Sequence, residues 1–303
     1  MAKNTKPRSY EFREMLAKEY LTTSISIKEL SGKYHTDAAY QLNKHGIQLK
    51  GRGVQKLLNR TNCIVYKWDA SRVDTEEQAY ALGFLMADGH NTGKQVGVKV
   101  KLSDSDILDK IKNCFSENIK LQRNPKYVSF VISSYTICDN LRKLGIVEHK
   151  SYNEKNIPGL NPELIRHFIR GYFDGDGTVF ICKNCNNRFL KCNICSSTVN
   201  ILQQIQLILL SNGIECTINT EKRIGKEYII NGGKASIATM DMSRLYIRRK
   251  ASIERFFHYL YDDSHIYLER KHKVFTDNIS MMTYCKHVNT ELTRQISKGC
   301  PAV

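Results

Sequence analysis

The chain has 303 residues, 41% of them hydrophobic, and 46 Lys and Arg against 30 Asp and Glu, a formal net charge of +16. That apolar content is enough for packed cores and excludes wholesale disorder, and the length allows two or three domains. No apolar run approaches the ~18 residues of a membrane span and residues 2–10 carry no signal-peptide pattern, so the positive balance points to nucleic acid rather than a membrane. Ten cysteines are scattered among helix-like and strand-like segments. A short, loop-rich disulfide scaffold is therefore not expected, and a reducing intracellular compartment is: a bacterial or phage-host cytoplasm, or an organelle. Cys300-Pro301-Ala302-Val303 imitates a prenylation box, but Pro301 and the lack of a preceding polybasic run argue against one.

Residues 1–60 hold 12 Lys and Arg against 5 Asp and Glu. Phe12, Met15, Leu16 and Tyr20 fall at helical spacing. A second short helix follows, with Ser24 or Ser26 as N-cap. Tyr34-His35-Thr36 reads as a turn, and Thr36-Asp37 caps a third helix over 38–45 that Gly46 stops. Two short helices around a tight turn, preceded by a third, form a helix-turn-helix pattern. The third helix would then offer Gln41, Asn43, Lys44 and His45 to a major groove; a bundle that only packs on its neighbour is the alternative. Residues 61–74 read as a linker anchored by Trp68. Just before it, Lys50 and Arg52 in a Gly-rich basic stretch suit phosphate contacts.

From Asp74 onward the order helix, strands, helix, strands, helix occurs twice. The first round has a helix to Asp88, a strand over 96–102 with Lys99 and Lys101 outward, a helix over 104–115, a strand over 127–133 and a helix over 135–144. The second has a helix over 163–175, a hairpin from 179–182 and 189–195, a helix over 198–212 and strands at 216–221, 228–230 and 245–249. It closes with a helix over 252–261. The last 28 residues, 276–303, show no pattern.

Both rounds open on a similar apolar helix with small residues four apart, Gly83 and Ala87, then Gly171 and Gly175. Each ends in Asp-Gly, at Asp88 and Asp176. A carboxylate meets the negative end of the helix dipole there, so a nearby cation such as a metal ion is expected. Gly89 and Gly177 would be ordinary C-caps. The recurrence after 88 residues implies a duplicated unit that sets two acids side by side.

Ala-Leu-Gly-Phe-Leu-Met-Ala-Asp-Gly at 81–89 and Ile-Arg-Gly-Tyr-Phe-Asp-Gly-Asp-Gly at 169–177 resemble the signature of the LAGLIDADG homing endonucleases. The flanks 74–80, 144–151 and 260–271 resemble family features too, and the likeness covers about residues 68–275. It implies an α+β fold of two pseudo-symmetric αββαββα units forming a DNA saddle, preceded here by a small all-α helix-turn-helix. The expected divisions are 1–60, 61–74, 75–155, 156–275 and a tail, 276–303. The resemblance further implies that Gly83, Ala87, Gly171 and Gly175 form the helix interface. Asp88 and Asp176, helped by the Ala87 and Gly175 carbonyls, would bind Mg²⁺, two or more ions. Such ions would promote hydrolysis of one phosphodiester per strand across the minor groove, leaving short 3′ overhangs.

By motif position, Lys150 and Lys271 are the basic residues expected to stabilise charge on the phosphate. Met86 replaces the first acid of the consensus, whereas Asp174 keeps it and is expected to make a structural contact. The sheets would lie in the major groove, with Lys99, Lys101, Arg123, Lys126, Arg188, Lys191, Arg223 and Lys226 as contacts. The partner would be double-stranded DNA with a long, asymmetric target, bound by a monomer. An RNA-binding intron maturase and a non-catalytic transcription regulator on the same fold are the alternatives. An intein is disfavoured by the ends of the chain. Cys182, Cys185, Cys192 and Cys195 have zinc-ligand spacing. Cysteines three apart on a strand face opposite ways, however, so reduced hairpin thiols are expected over structural Zn.

Overall fold

The computed structural model describes residues 8–23, 25–49, 64–184, 187–230 and 234–278. They fall in two compact bodies, divided after Ile64.

The first body is three short helices, α1 (Tyr10–Thr22), α2 (Ile27–Lys33) and α3 (Ala38–Lys44). Each start is capped. The Ser9 hydroxyl accepts from the Phe12 amide, Ser26 and Glu29 form a reciprocal capping box, and Asp37 accepts from the Tyr40 amide. Leu16, Ala17, Tyr20, Leu30, Ala38 and Leu42 form the core. Met15, expected inside, faces solvent instead, because the inward stripe of α1 runs through Leu16, Ala17 and Tyr20. Four residues separate α2 from α3, with His35 at φ 48° in the turn.

The second body contains the repeat. The first round runs α4 (Glu76–Asp88), β1 (Gly89–Asn91), β2 (Val96–Lys101), α5 (Ser105–Phe115), β3 (Gln122–Arg123), β4 (Tyr127–Ile132) and α6 (Tyr135–Lys143). The second runs α7 (Pro162–Asp176), β5 (Gly177–Asn184), β6 (Asn187–Ser196), α8 (Val199–Ser211), β7 (Thr217–Glu221), β8 (Glu227–Ile230), β9 (Lys234–Ile237), β10 (Met242–Ile247) and α9 (Lys250–Tyr261). Each round builds a four-stranded antiparallel sheet, ordered β1-β2-β4-β3 and β5-β6-β10-β7. Alternation sets their faces. Val128, Phe130 and Ile132 of β4 and Leu245 and Ile247 of β10 are buried, whereas Lys99 and Lys101 point out. The paired ribbon β8–β9 exists only in the second round. Its place in the first is taken by a turn at 124–126, where the Asn124 side chain accepts from the Lys126 and Tyr127 amides.

Trp68 is buried against Phe115, with ring centroids 4.7 Å apart, and its indole N–H donates to the Arg72 carbonyl. It thus fixes the segment before α4 onto α5, as expected of an anchor. After α9 the chain turns back through Asp263 (φ 54°) and begins a helix at 269 that continues to the last described residue, 278. The patternless segment expected from 276 therefore begins inside this helix, with Phe275 buried beside Phe173.

Candidate active site and nucleic-acid interface

α4 and α7 cross at their glycines. A Cβ on Gly83 would land on the Phe168 carbonyl oxygen and lie 2.9 Å from the Tyr172 nitrogen; one on Gly171 would land on the Tyr80 oxygen, 2.9 Å from the Phe84 nitrogen. Stepping 88 residues along the chain exchanges one set of partners for the other, so the interface is a pseudo-two-fold. Ala87 and Gly175 meet at its end, where a Cβ on Gly175 would lie 3.5 Å from the Asp88 carboxylate. The four small residues named from the sequence are therefore the crossing, and the crossing brings the two terminal acids together.

The glycines after the acids have another reason than expected. Gly89 (φ −72°) and Gly177 (φ −87°) are extended, not left-handed. A Cβ on Gly89 would sit 2.6 Å from the Leu85 carbonyl, and one on Gly177 would strike Phe173. Glycine is needed there for space as the helix passes directly into a strand.

The cation expected at each helix end is present as a lysine. Lys150, 9% exposed, donates to the carbonyls of Leu85, Met86 and Ala87 at 2.8, 2.8 and 2.5 Å. Lys271, 4% exposed, donates to those of Phe173, Asp174 and Gly177 at 2.7, 2.8 and 2.5 Å, and more distantly to Gly175 at 3.4 Å. Each ammonium closes its own unit's helix, satisfying carbonyls that have no partner within the helix and balancing the dipole. Burial, then the neighbouring Lys155 charge, lowers Lys150 to about 7, against the pull of both carboxylates. Burial lowers Lys271 to about 8.

Asp88 keeps an exposed edge and Asp176 is half-buried. Loss of hydration raises the pKa of Asp88, and the facing Asp176 raises it further. Asp176 is raised by burial and held back by Lys155, Lys150 and Lys271. Lys155, absent from the sequence reading, is thus a third lysine at the acids. It is 4% exposed and lies 5.8 Å from the Tyr172 ring centroid. No motif position marked it; only the path of the chain between the two units brings it here.

Asp174 makes the structural contact expected of it. Fully enclosed, it accepts from the Tyr80 hydroxyl (2.7 Å), the Tyr261 hydroxyl (3.0 Å) and the Leu268 amide (2.7 Å), tying α4, α9 and the returning chain to α7. Asp174→Asn turns one acceptor oxygen into a donor facing donors. It should cost about 1–3 kcal/mol of stability in urea unfolding.

A cleft of about 410 Å³ opens beside Asp88, lined by Lys99, Lys101, Asp104, Tyr127, Gly175 and Arg270. The Lys99 ammonium sits 4.5 Å from the Tyr127 ring centroid. Arg123 and Lys126 are exposed at the β3–β4 turn, and Arg123 reaches Asp109 at 3.9 Å. On the second sheet, Lys191 lies 5.2 Å from the Phe189 ring, Arg223 pairs with Glu221 at 2.9 Å, and Lys226 is exposed. The sequence reading missed Arg244, paired with Glu221 at 3.0 Å, and Arg248, 4.2 Å from the Tyr246 ring. Their signal was the alternation Met242, Arg244, Tyr246, Arg248, which starts earlier than the strand expected at 245–249.

In the first body, Asn43 and Lys44 are exposed. Gln41, expected in a groove, is instead fully buried, and its side-chain carbonyl accepts from the Arg8 amide. It shares the inward face of α3 with Ala38 and Leu42. Lys50, Arg52, Cys185 and the Arg188 side chain lie outside what is described. Of the zinc-spaced cysteines, Cys192 is buried in the sheet core, while Cys195 lies on the other face of β6 beside Asn193. Cys182, Cys192 and Cys195 are free thiols. Among the described residues no three His, Cys, Asp or Glu side chains cluster as a metal cage, and no helix is long and apolar enough to cross a membrane.

A profile of the LAGLIDADG-like domain matches residues 163–261, so the second round is similar to that domain. An uncharacterized protein of Methanocaldococcus jannaschii is 28% identical over 156 residues, which is 49% of this chain; the chain spans 59% of that relative's length. Among solved structures, the LAGLIDADG homing endonuclease I-GzeII in complex with its DNA target is similar at TM-score 0.45 and 16% identity, covering 73% of this chain and 95% of that one. I-SmaMI bound to cleaved DNA is similar at TM-score 0.44 and 13% identity, covering 75% and 96%.

Proposed function

We propose that the chain is a site-specific, divalent-cation-dependent endonuclease that cuts both strands of a DNA duplex. The observation that carries this reading is the crossing of α4 and α7, which sets Asp88 and Asp176 together, with a cleft beside Asp88 that Lys99 and Lys101 of the first sheet line. Two facing acids, one of which raises the pKa of the other, gain from a cation between them. The donors there are oxygens only: two carboxylates plus the Ala87 and Gly175 carbonyls, each with a second lone pair beyond its bond to lysine. That set fits a hard, partly hydrated ion such as Mg²⁺. Bound there, such an ion would polarise a scissile phosphate and favour an attacking hydroxide.

The chain's own residues supply the rest. Asp88 and Asp176 hold the site's negative charge at the pseudo-two-fold. Lys150 and Lys271 fix the helix ends that aim those acids, so in this reading they position the carboxylates, and their charge is felt at the phosphate from one layer behind. Lys99, Lys101, Lys191, Arg244 and Arg248 grip the backbone and base edges, with a water attacking one phosphorus on each strand and the 3′ oxygen leaving. Retention of both acids favours this reading over a non-catalytic regulator. Three helices with exposed Asn43 and Lys44 extend the DNA contact as a helix-turn-helix.

Selection of cleaved duplexes from a randomised library in Mg²⁺ tests the proposal. One long, asymmetric site should emerge, cut on both strands with short 3′ overhangs, and EDTA should stop cutting. A library left intact by active-concentration protein overturns the reading. Deletion of residues 1–60 should weaken binding to the selected site and flatten the dependence of log affinity on log salt, because phosphate contacts are lost. Filter binding across a salt series checks this, and an unchanged slope would remove the first body from the interface.

A further inference from the structure

The two units are not equivalent at their acids. Beside Asp176 stands Tyr172, fully buried, whose hydroxyl lies near the Asp176 carboxylate and Ser196 yet makes no hydrogen bond of good geometry among the described residues. The residue 88 positions earlier is Phe84, which carries no hydroxyl and lines the cleft at Asp88. Lys155 lies over the Tyr172 ring and acts on Asp176 more than on Asp88, yet forms no ion pair with either. It follows Lys150 by five positions. The residue five beyond Lys271 is Thr276, whose hydroxyl is used on the Lys273 carbonyl. One centre therefore has a buried ammonium and a loosely held hydroxyl, and the other has a phenyl ring and only the exposed cations of its cleft, Lys99, Lys101 and an Arg270 paired with Asp104.

The chain holds Lys155 in place through its neighbours. The Asn156 side-chain oxygen accepts from Asn200 (2.7 Å) and Gln204 (2.6 Å), both on α8. The Ile157 amide donates to Gln204 (2.8 Å), and Ser197 donates to the Ser151 carbonyl (2.8 Å). The connection between the two units is thus strapped to the second unit. A buried ammonium is costly without a counter-charge, and a buried hydroxyl is costly without a partner. An anionic oxygen between them answers both.

Resting on the nuclease reading, we propose that Lys155 and the Tyr172 hydroxyl form an oxyanion pocket for the scissile phosphate at the Asp176 centre only, so that the two strands are cut unequally. Asn156 and Gln204 are its positioning residues.

The test is strand-resolved, single-turnover cleavage of the selected site in Mg²⁺ by Lys155→Met, Tyr172→Phe and Lys155→Arg. Lys155→Met should slow one strand by about 10²-fold, the scale for loss of one preorganised donor. The other strand should stay within about twofold, with nicked duplex accumulating. Tyr172→Phe should slow the same strand, and Lys155→Arg should restore part of the loss. Equal slowing of both strands or wild-type rates would overturn the pocket. A second arm needs no cutting: binding in Ca²⁺ to duplexes with a neutral methylphosphonate at one scissile position. The wild type should lose affinity unequally for the two strands, and Lys155→Met should erase the difference; equal losses in the wild type would overturn the pocket. A wild type that shows this inequality but cuts nothing would count against the nuclease reading alone.

Discussion

Gly171→Val is expected to leave the protein largely unfolded under conditions where the wild type is stable. The added Cβ meets the Tyr80 carbonyl oxygen and lies 2.9 Å from the Phe84 nitrogen. Both are backbone atoms inside α4, a helix buried from Ala79 to Ala87. No rotamer change relieves such a clash; the two helices must part. Overpacking of a tight core commonly costs 1–3 kcal/mol, and this contact sits at or above about 3, a large share of a typical 5–15 kcal/mol stability. Gly83→Val should act similarly against Phe168, because the pseudo-two-fold makes the contacts equivalent. Gly159→Ala, with nothing within 4 Å of its added Cβ, is the control. Urea midpoints decide the matter: a wild-type midpoint for Gly171→Val would mean that the helices do not meet here.

Much of this arrangement was legible because its cause is local. Small residues four apart, the Asp-Gly endings and the alternation of Val98, Val100 and Lys99 are periodic signals, and they located α4, α7 and the basic sheet face. The order of elements in each round followed from the same periodicities. What was hidden depends on residues far apart in the chain. Lys150 and Lys271 drew attention as groups for a phosphate, yet their ammoniums are occupied by carbonyls of helices 63 to 98 positions away. Lys155 belongs to no periodic segment, and only the strap on Asn200 and Gln204 turns it inward. The β8–β9 ribbon escaped in part because one of its two short strands, at 234–237, lacks a clear apolar alternation. Gln41 shows the reverse failure. Its place beside Ala38 and Leu42 on α3 was readable as inward, but its polar side chain drew the groove reading.

The second large expected effect concerns the acids themselves. Asp88→Asn with Asp176→Asn keeps shape and packing while removing both charges that would hold a cation. If charge stabilisation at the phosphate supplies several kcal/mol, cleavage should fall by at least about 10³-fold. Binding should persist, because the basic sheet faces are untouched. Removing two like charges from a partly desolvated site should also leave the fold no less stable, since loss of hydration and mutual repulsion disfavour the ionised pair.

The most direct measurement is single-turnover cleavage of the selected duplex in Mg²⁺, with each strand labelled separately, alongside binding of the same duplex without divalent cation. The account predicts that the wild type cuts both strands and that the doubly substituted protein binds with similar affinity but cuts neither. Full cleavage by the doubly substituted protein would contradict it.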